Sequence, residues 1–179
     1  MTMLPVDVME GLLPHYEREY NELSQNWIAV ERKAQGTCIV AGALLSGALA
    51  VIGNERFAIP QPLYLLFAAF AALIFVSTVF AFRALRISDQ TLPPSGDCLR
   101  DLAWERMSLG ASGWEDQFKQ ESLHKQVVHW DQACKDLAAA IGQKGNAVAL
   151  AHAWLMGGAL AALMLITAIC VSLWFNTTA

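Results

Sequence analysis

Charge is missing from three long stretches of this sequence. Residues 34–53 hold no ionisable side chain except the Cys38 thiol, residues 57–82 none except Tyr64, and residues 145–175 only His152 and Cys170. Across all 179 residues the charged share is 16% against 55% hydrophobic, a balance that lies on the membrane side of soluble usage. A soluble bundle that buried three such helices would have too little polar chain left to cover them. Strand alternation, internal repeats and low-complexity tracts are also absent, which leaves an all-α chain. There is no HExxH, GxSxG or GxGxxG pattern, and no GxxxxGK run followed by Ser or Thr. His124 and His129 are five apart and miss the shared helix face of an i, i+4 zinc pair. No metal, cofactor or catalytic residue is expected; Glu115, Asp116 and Glu121 are read as solvated acids near a helix start.

A basic surplus is lacking as well. The net charge is −4 and no basic run is interleaved with aromatics, which argues against duplex nucleic acid as a partner. The 4 cysteines form no CxxC pair: Cys38 and Cys170 fall in apolar stretches, while Cys98 and Cys134 stand singly. Free thiols in a reducing compartment are the expectation.

What is present is three segments of membrane length. A helix rises about 1.5 Å per residue, so a hydrocarbon core of about 30 Å takes roughly 20 apolar residues. The first apolar run begins only at Ala34 and lacks the charged start of a signal peptide, so no cleaved leader is expected. The expected division is a cytoplasmic amphipathic helix over 1–33, transmembrane helices over 34–53, 62–82 and 148–175, an external hairpin over 54–61, a cytoplasmic helical region over 83–147 and an external tail over 176–179. Of the 12 Lys and Arg residues only Arg56 falls in the hairpin, so the positive-inside rule places the N-terminus in the cytoplasm. The fold class is therefore an all-α helical integral membrane protein with three transmembrane helices and a cytoplasmic helical unit, partnered by membrane lipid.

Before the first span, Tyr16, Tyr20, Leu23, Trp27 and Val30 recur at spacings of three and four, which predicts one amphipathic helix running unbroken into the membrane. The charged face of that helix ends at Glu31, Arg32 and Lys33, the expected cytoplasmic lip of the span. Pro93, Pro94 and Gly96 in "SDQTLPPSGD" predict a break, followed by a short helix over "CLRDLAWERMSL" and an interruption at "GASG". From Trp114 a long helix resumes, and Leu123, Val127, Trp130, Cys134, Leu137 and Ile141 trace the seam of a coiled coil or bundle. Gly142 and Gly145 are expected to loosen its junction with the third span.

Small residues mark faces inside the spans. Gly42, Ser46 and Ala50, and likewise Ala43 and Gly47, repeat every four residues in the first, as Gly157 with Ala161 and Gly158 with Ala162 do in the third. Such faces let helices approach closely, either within one chain or between copies. With the 123–141 seam, they give the expectation of a homo-oligomer.

The stretches "ERKAQGTCIVAGALL", "CLRDLAWERMSLGASGWEDQFKQ" and "LHKQVVHWDQACKDLAAAI" leading into "AHAWLMGGALAALMLI" resemble one known group. They are similar to the Pycsar-type transmembrane effectors of bacterial antiphage nucleotide signalling and, more distantly, to SLATT-domain effectors. The resemblance covers most of the chain from about residue 27. It implies a multi-pass protein of the bacterial inner membrane that stays quiet until a nucleotide second messenger binds, then assembles or opens and damages the membrane. A nucleotide phosphate needs donors, and the cytoplasmic residues able to supply them are Arg100, Arg106, Lys119, Lys125, His129 and Lys135. Lys125 and His129, as i, i+4 neighbours, form the best pair, with Arg106 and Lys135 beside them. Glu31, Arg32 and Lys33 then become the expected junction at which binding is coupled to the spans.

Overall fold

The computed structural model describes residues 5–53, 61–86 and 114–178. Three helices account for them: α1 (Val6–Ile52), α2 (Gln61–Leu85) and α3 (Trp114–Thr178). All three are long and apolar enough to cross a membrane. The fold is an all-α membrane protein with three spanning helices, and no strand occurs among the described residues. The hairpin with Arg56, the "SDQTLPPSGD" break, the short helix from Cys98 and the "GASG" interruption lie outside the described residues.

α1 begins earlier than the aromatic stripe predicts, at Val6, and carries Pro14 inside it. The proline removes the bond its N–H would donate to Glu10, a loss that interior helices normally avoid. Met9, fully buried, packs one turn before it with Leu123 and Val127, joined by Val6, Leu13 and Tyr16. Burying that cluster holds the helix through its proline.

Two compact units divide the chain. The first holds the described parts of residues 1–28 and 88–142, where α1 and α3 run parallel: Lys119 pairs with Glu10 at 2.7 Å, and Tyr20 meets Trp130 edge-on at 5.6 Å. The second holds residues 29–87 and 143–179, where α2 runs antiparallel to both other helices. Ala34, Ala84, Ala147 and Val148 pack together at one of its levels; Ala41, Phe70 and Ile74 do so deeper in the spans.

One spacing rule explains which residues are covered. Along α1 the buried or half-buried positions step by four and three from Met9, Leu13 and Tyr16 through Val30, Ala34, Thr37 and Ala41 to Ala48 and Val51. Along α3 they do so from Leu123 and Val127 through Leu137, Ile141, Lys144, Val148 and Ala151 to Gly158 and Leu165. α2 follows with Phe67, Phe70, Ile74, Ser77, Ala81 and Ala84. Within each unit a repeat of 3.5 residues keeps the seam facing its partners. α3 passes through Gly142 and Gly145 without interruption. Each glycine costs a helix interior about 1 kcal/mol, but Lys144, Ala147 and Val148 are buried beside them and keep the helix continuous.

The alanine layer also sets the depth scale. Arg32, Lys33, Arg83 and Lys144 all lie within three residues of its members. From Ala84 back to Leu63, α2 rises about 31 Å, one hydrocarbon thickness. Within that depth polar groups must be satisfied internally. Thr37, Thr78 and Thr167 donate to the carbonyls of Lys33, Ile74 and Leu163 one turn back, and Ser77 donates across to the Ala151 carbonyl at 2.7 Å. Among the described residues no buried side-chain nitrogen or oxygen lacks a partner.

Candidate ligand-binding and membrane-coupling site

Residues 118–142 of α3 present two faces. Leu123, Val127, Cys134 and Leu137 are buried, the first three of them against α1, and the opposite face carries charge into solvent. Lys125 and His129 both lie on that exposed face, one turn apart. Lys135 is exposed too, but its ammonium donates to Asp131 at 2.6 Å. That hydrogen bond, with the charge of Asp131 behind it, raises the lysine's pKa. At 100° per residue Lys135 lies about 80° around the helix from Lys125 and about 15 Å along it. The structure therefore brings Lys125 and His129 together and leaves Lys135 on a neighbouring stripe. Arg106, like Arg100, lies outside the described residues.

Two groups on the covered face are held away from reaction. Burial raises the Cys134 thiol's pKa, with Glu19 and Asp131 adding to it, and the thiol points at the Tyr16 carbonyl, 3.7 Å away. Burial also raises the Tyr16 hydroxyl's pKa, with Asp131 next in weight. A thiol with little thiolate is a packing group rather than a nucleophile. Among the described residues no group of three or more His, Cys, Asp and Glu side chains is placed to hold a metal ion.

At the junction the structure separates three residues that the sequence groups together. Arg32 and Lys33 are exposed, whereas Glu31 turns inward and accepts a hydrogen bond from the Lys144 ammonium at 2.9 Å. Sequence reasoning missed this pair, as it missed Glu10 with Lys119. The signal existed: the four-three seam read from Leu123 to Ile141 reaches Lys144 at its next step.

The small-residue faces divide by helix. A Cβ on Gly158 would lie 2.6 Å from Ile74 Cδ1, so this glycine is the site of close approach between α3 and α2 of the same chain. One on Gly157 would lie 3.9 Å from Leu73 Cδ1. Gly42 and Gly47 have nothing within 4 Å, and with Ser46 they form an exposed stripe on α1.

The chain matches no curated protein and no solved structure. A sequence model of the Pycsar effector protein domain, PycTM, matches residues 15–174, from one residue before the α1 aromatic stripe almost to the end of α3. The match takes in the paired amphipathic helices and all three spans, so this chain belongs to the Pycsar effector proteins, as a membrane-spanning effector of antiphage defence.

Proposed function

We propose that this effector is gated by a nucleotide second messenger: the cytoplasmic helical region binds it, and the spans then rearrange within a homo-oligomer and permeabilise the bacterial inner membrane. The observation that carries the reading is the continuity of α1 and α3, each one unbroken helix from an amphipathic stretch into an apolar span. A turn or slide imposed on such a helix at one end is passed along it. Binding shifts the equilibrium only if the two arrangements differ in affinity for the messenger. Lys125 and His129 would meet its phosphate, with Lys135 and Arg106 adding charge. The exposed Gly42, Ser46 and Gly47 stripe is the face at which copies would approach.

The proposed orientation puts the N-terminus in the cytoplasm and the C-terminus outside, on the strength of the basic-residue asymmetry. A periplasm-dependent reporter fused after Ala179 is expected to be active, and activity of a cytoplasm-dependent reporter there would reverse the topology.

Gating is tested by membrane potential in cells expressing the chain, with and without a panel of cyclic nucleotides. Cells are expected to stay polarised until one nucleotide is supplied. An intact potential with every nucleotide would make the chain a non-conducting scaffold or regulatory subunit. Depolarisation that follows expression level alone would make it a holin-like lesion former without a ligand.

A further inference from the structure

We propose that the Glu31–Lys144 ion pair is a register lock, holding α1 against α3 at the membrane lip in the resting state; as a regulatory role it rests on the gated-effector reading above. Lys144 occupies a seam position of α3 whose neighbours in the series, Leu137, Ile141, Val148 and Ala151, are all apolar. The residue is 5% exposed, and its ammonium lies 2.9 Å from Glu31 Oε1. A single lysine at a seam position costs stability relative to an apolar residue but fixes register, because its charge is satisfied in one alignment and stranded in others.

Along α1 only that alignment sets a carboxylate against Lys144. On α1, Glu31 is the last carboxylate, and the one before it is Glu22. A slide of one helical turn is about 5.4 Å, enough to carry the ammonium out of reach of Glu31. Moved toward the span it would face the level of Ala34 and Gln35; moved the other way, that of Trp27 and Ile28, none of them a carboxylate. The nearby end of α2 offers Arg83 and Arg86, which repel it. The layer one residue step beyond the pair is built on Ala34, Ala84 and Ala147, with Val148 and, packed against it, Val30 and Leu85 as its larger side chains. At this level the charge pair adds to that packing a contact made in one alignment of α1 with α3.

The test places nitroxide labels at Gln35 and Asn146, both exposed, in full-length protein with the 4 native cysteines replaced, reconstituted in lipid nanodiscs. The parent is expected to give one narrow interlabel distance. Glu31→Gln and Lys144→Glu should each give a second distance population, and the exchange Glu31→Lys with Lys144→Glu should restore the single one. In cells, the single variants should raise the depolarised fraction at least about tenfold with no nucleotide added. Unchanged distances in both single variants, or an exchange that restores nothing, would overturn the lock. A second population in cells that stay polarised would leave the lock standing as a structural contact and remove its regulatory role. Glu31→Asp, one methylene shorter, carries the same comparison if Glu31→Gln fails to accumulate, and a distance identical to the parent's would count against the lock.

Discussion

Replacing Gly158 with leucine is expected to remove most of the folded protein from the membrane, whereas Gly47→Leu leaves the folded monomer intact and weakens its self-association. The contrast follows from what each Cβ would meet. At Gly158 it would lie 2.6 Å from Ile74 Cδ1 and 3.2 Å from Cγ1, with the Ile74 backbone nitrogen at 3.8 Å. Ile74 is 1% exposed, so it has little room to give beyond a turn of its terminal methyl. Gly158→Ala can be absorbed by turning the isoleucine's terminal methyl and easing the helices apart by a few tenths of an ångström. Leucine cannot be absorbed so. It forces α3 from α2 and strains the Ser77 bond to Ala151 one heptad before it, placing the cost at the upper end of the roughly 1–3 kcal/mol typical of overpacking. At Gly47 nothing lies within 4 Å, so the new side chain meets lipid or another copy. Thermal aggregation in detergent, read beside crosslinking in membranes, separates the two effects. Loss of thermostability in Gly47→Leu, or its absence in Gly158→Leu, would reverse the assignment of faces.

The seam explains what the sequence made legible. Tyr16 to Val30 and Leu123 to Ile141 stood out because their apolar residues alternate with charged ones, so a 3.5-residue period is visible against a polar background. The same period continues through the spans, at Ala34, Thr37 and Ala41 or Phe70, Ile74 and Ser77, but there lipid-facing residues are as apolar as buried ones and the contrast vanishes. Lys144 was hidden for the opposite reason, since a lysine at a seam position ends an apolar pattern although its stem and charge are buried there. Glu31 groups with Arg32 and Lys33 in the sequence because a run of charges does not reveal which member turns inward. The residues proposed to meet a ligand are the least legible. A solvated helix face carries lysines and histidines whether or not they bind anything, and spacing brings together only neighbours on one helix, such as Lys125 and His129.

Inserting two glycines after Lys33 is expected to leave membrane insertion and nucleotide binding near wild type and to abolish nucleotide-triggered depolarisation. Two added residues in a continuous helix would turn everything beyond them by about 200° and advance it by about 3 Å. Ala34, Thr37 and Ala41 would leave the side on which Tyr16 to Val30 lie. Glycine, with its high backbone freedom and low helix propensity, lets the helix break there instead. Each segment then keeps its own packing: Met9 and Tyr16 with Leu123 and Val127, and Ala34 with Ala84 and Ala147. What the insertion removes is the transmission of torque along α1, while Glu31 stays upstream of it and able to reach Lys144. The competing account gives Arg32 and Lys33 only an anchoring role, each exposed charge contributing about 1 kcal/mol at anionic headgroups, and it predicts no loss of triggering. The measurement is membrane potential on adding the activating nucleotide, with binding to the detergent-solubilised variant as its control. If the insertion variant depolarises like wild type, the junction at Lys33 is an anchor. Coupling would then run along α3 between Ile141 and Leu150, where that helix carries its seam through Lys144 and Val148 into the membrane without a break.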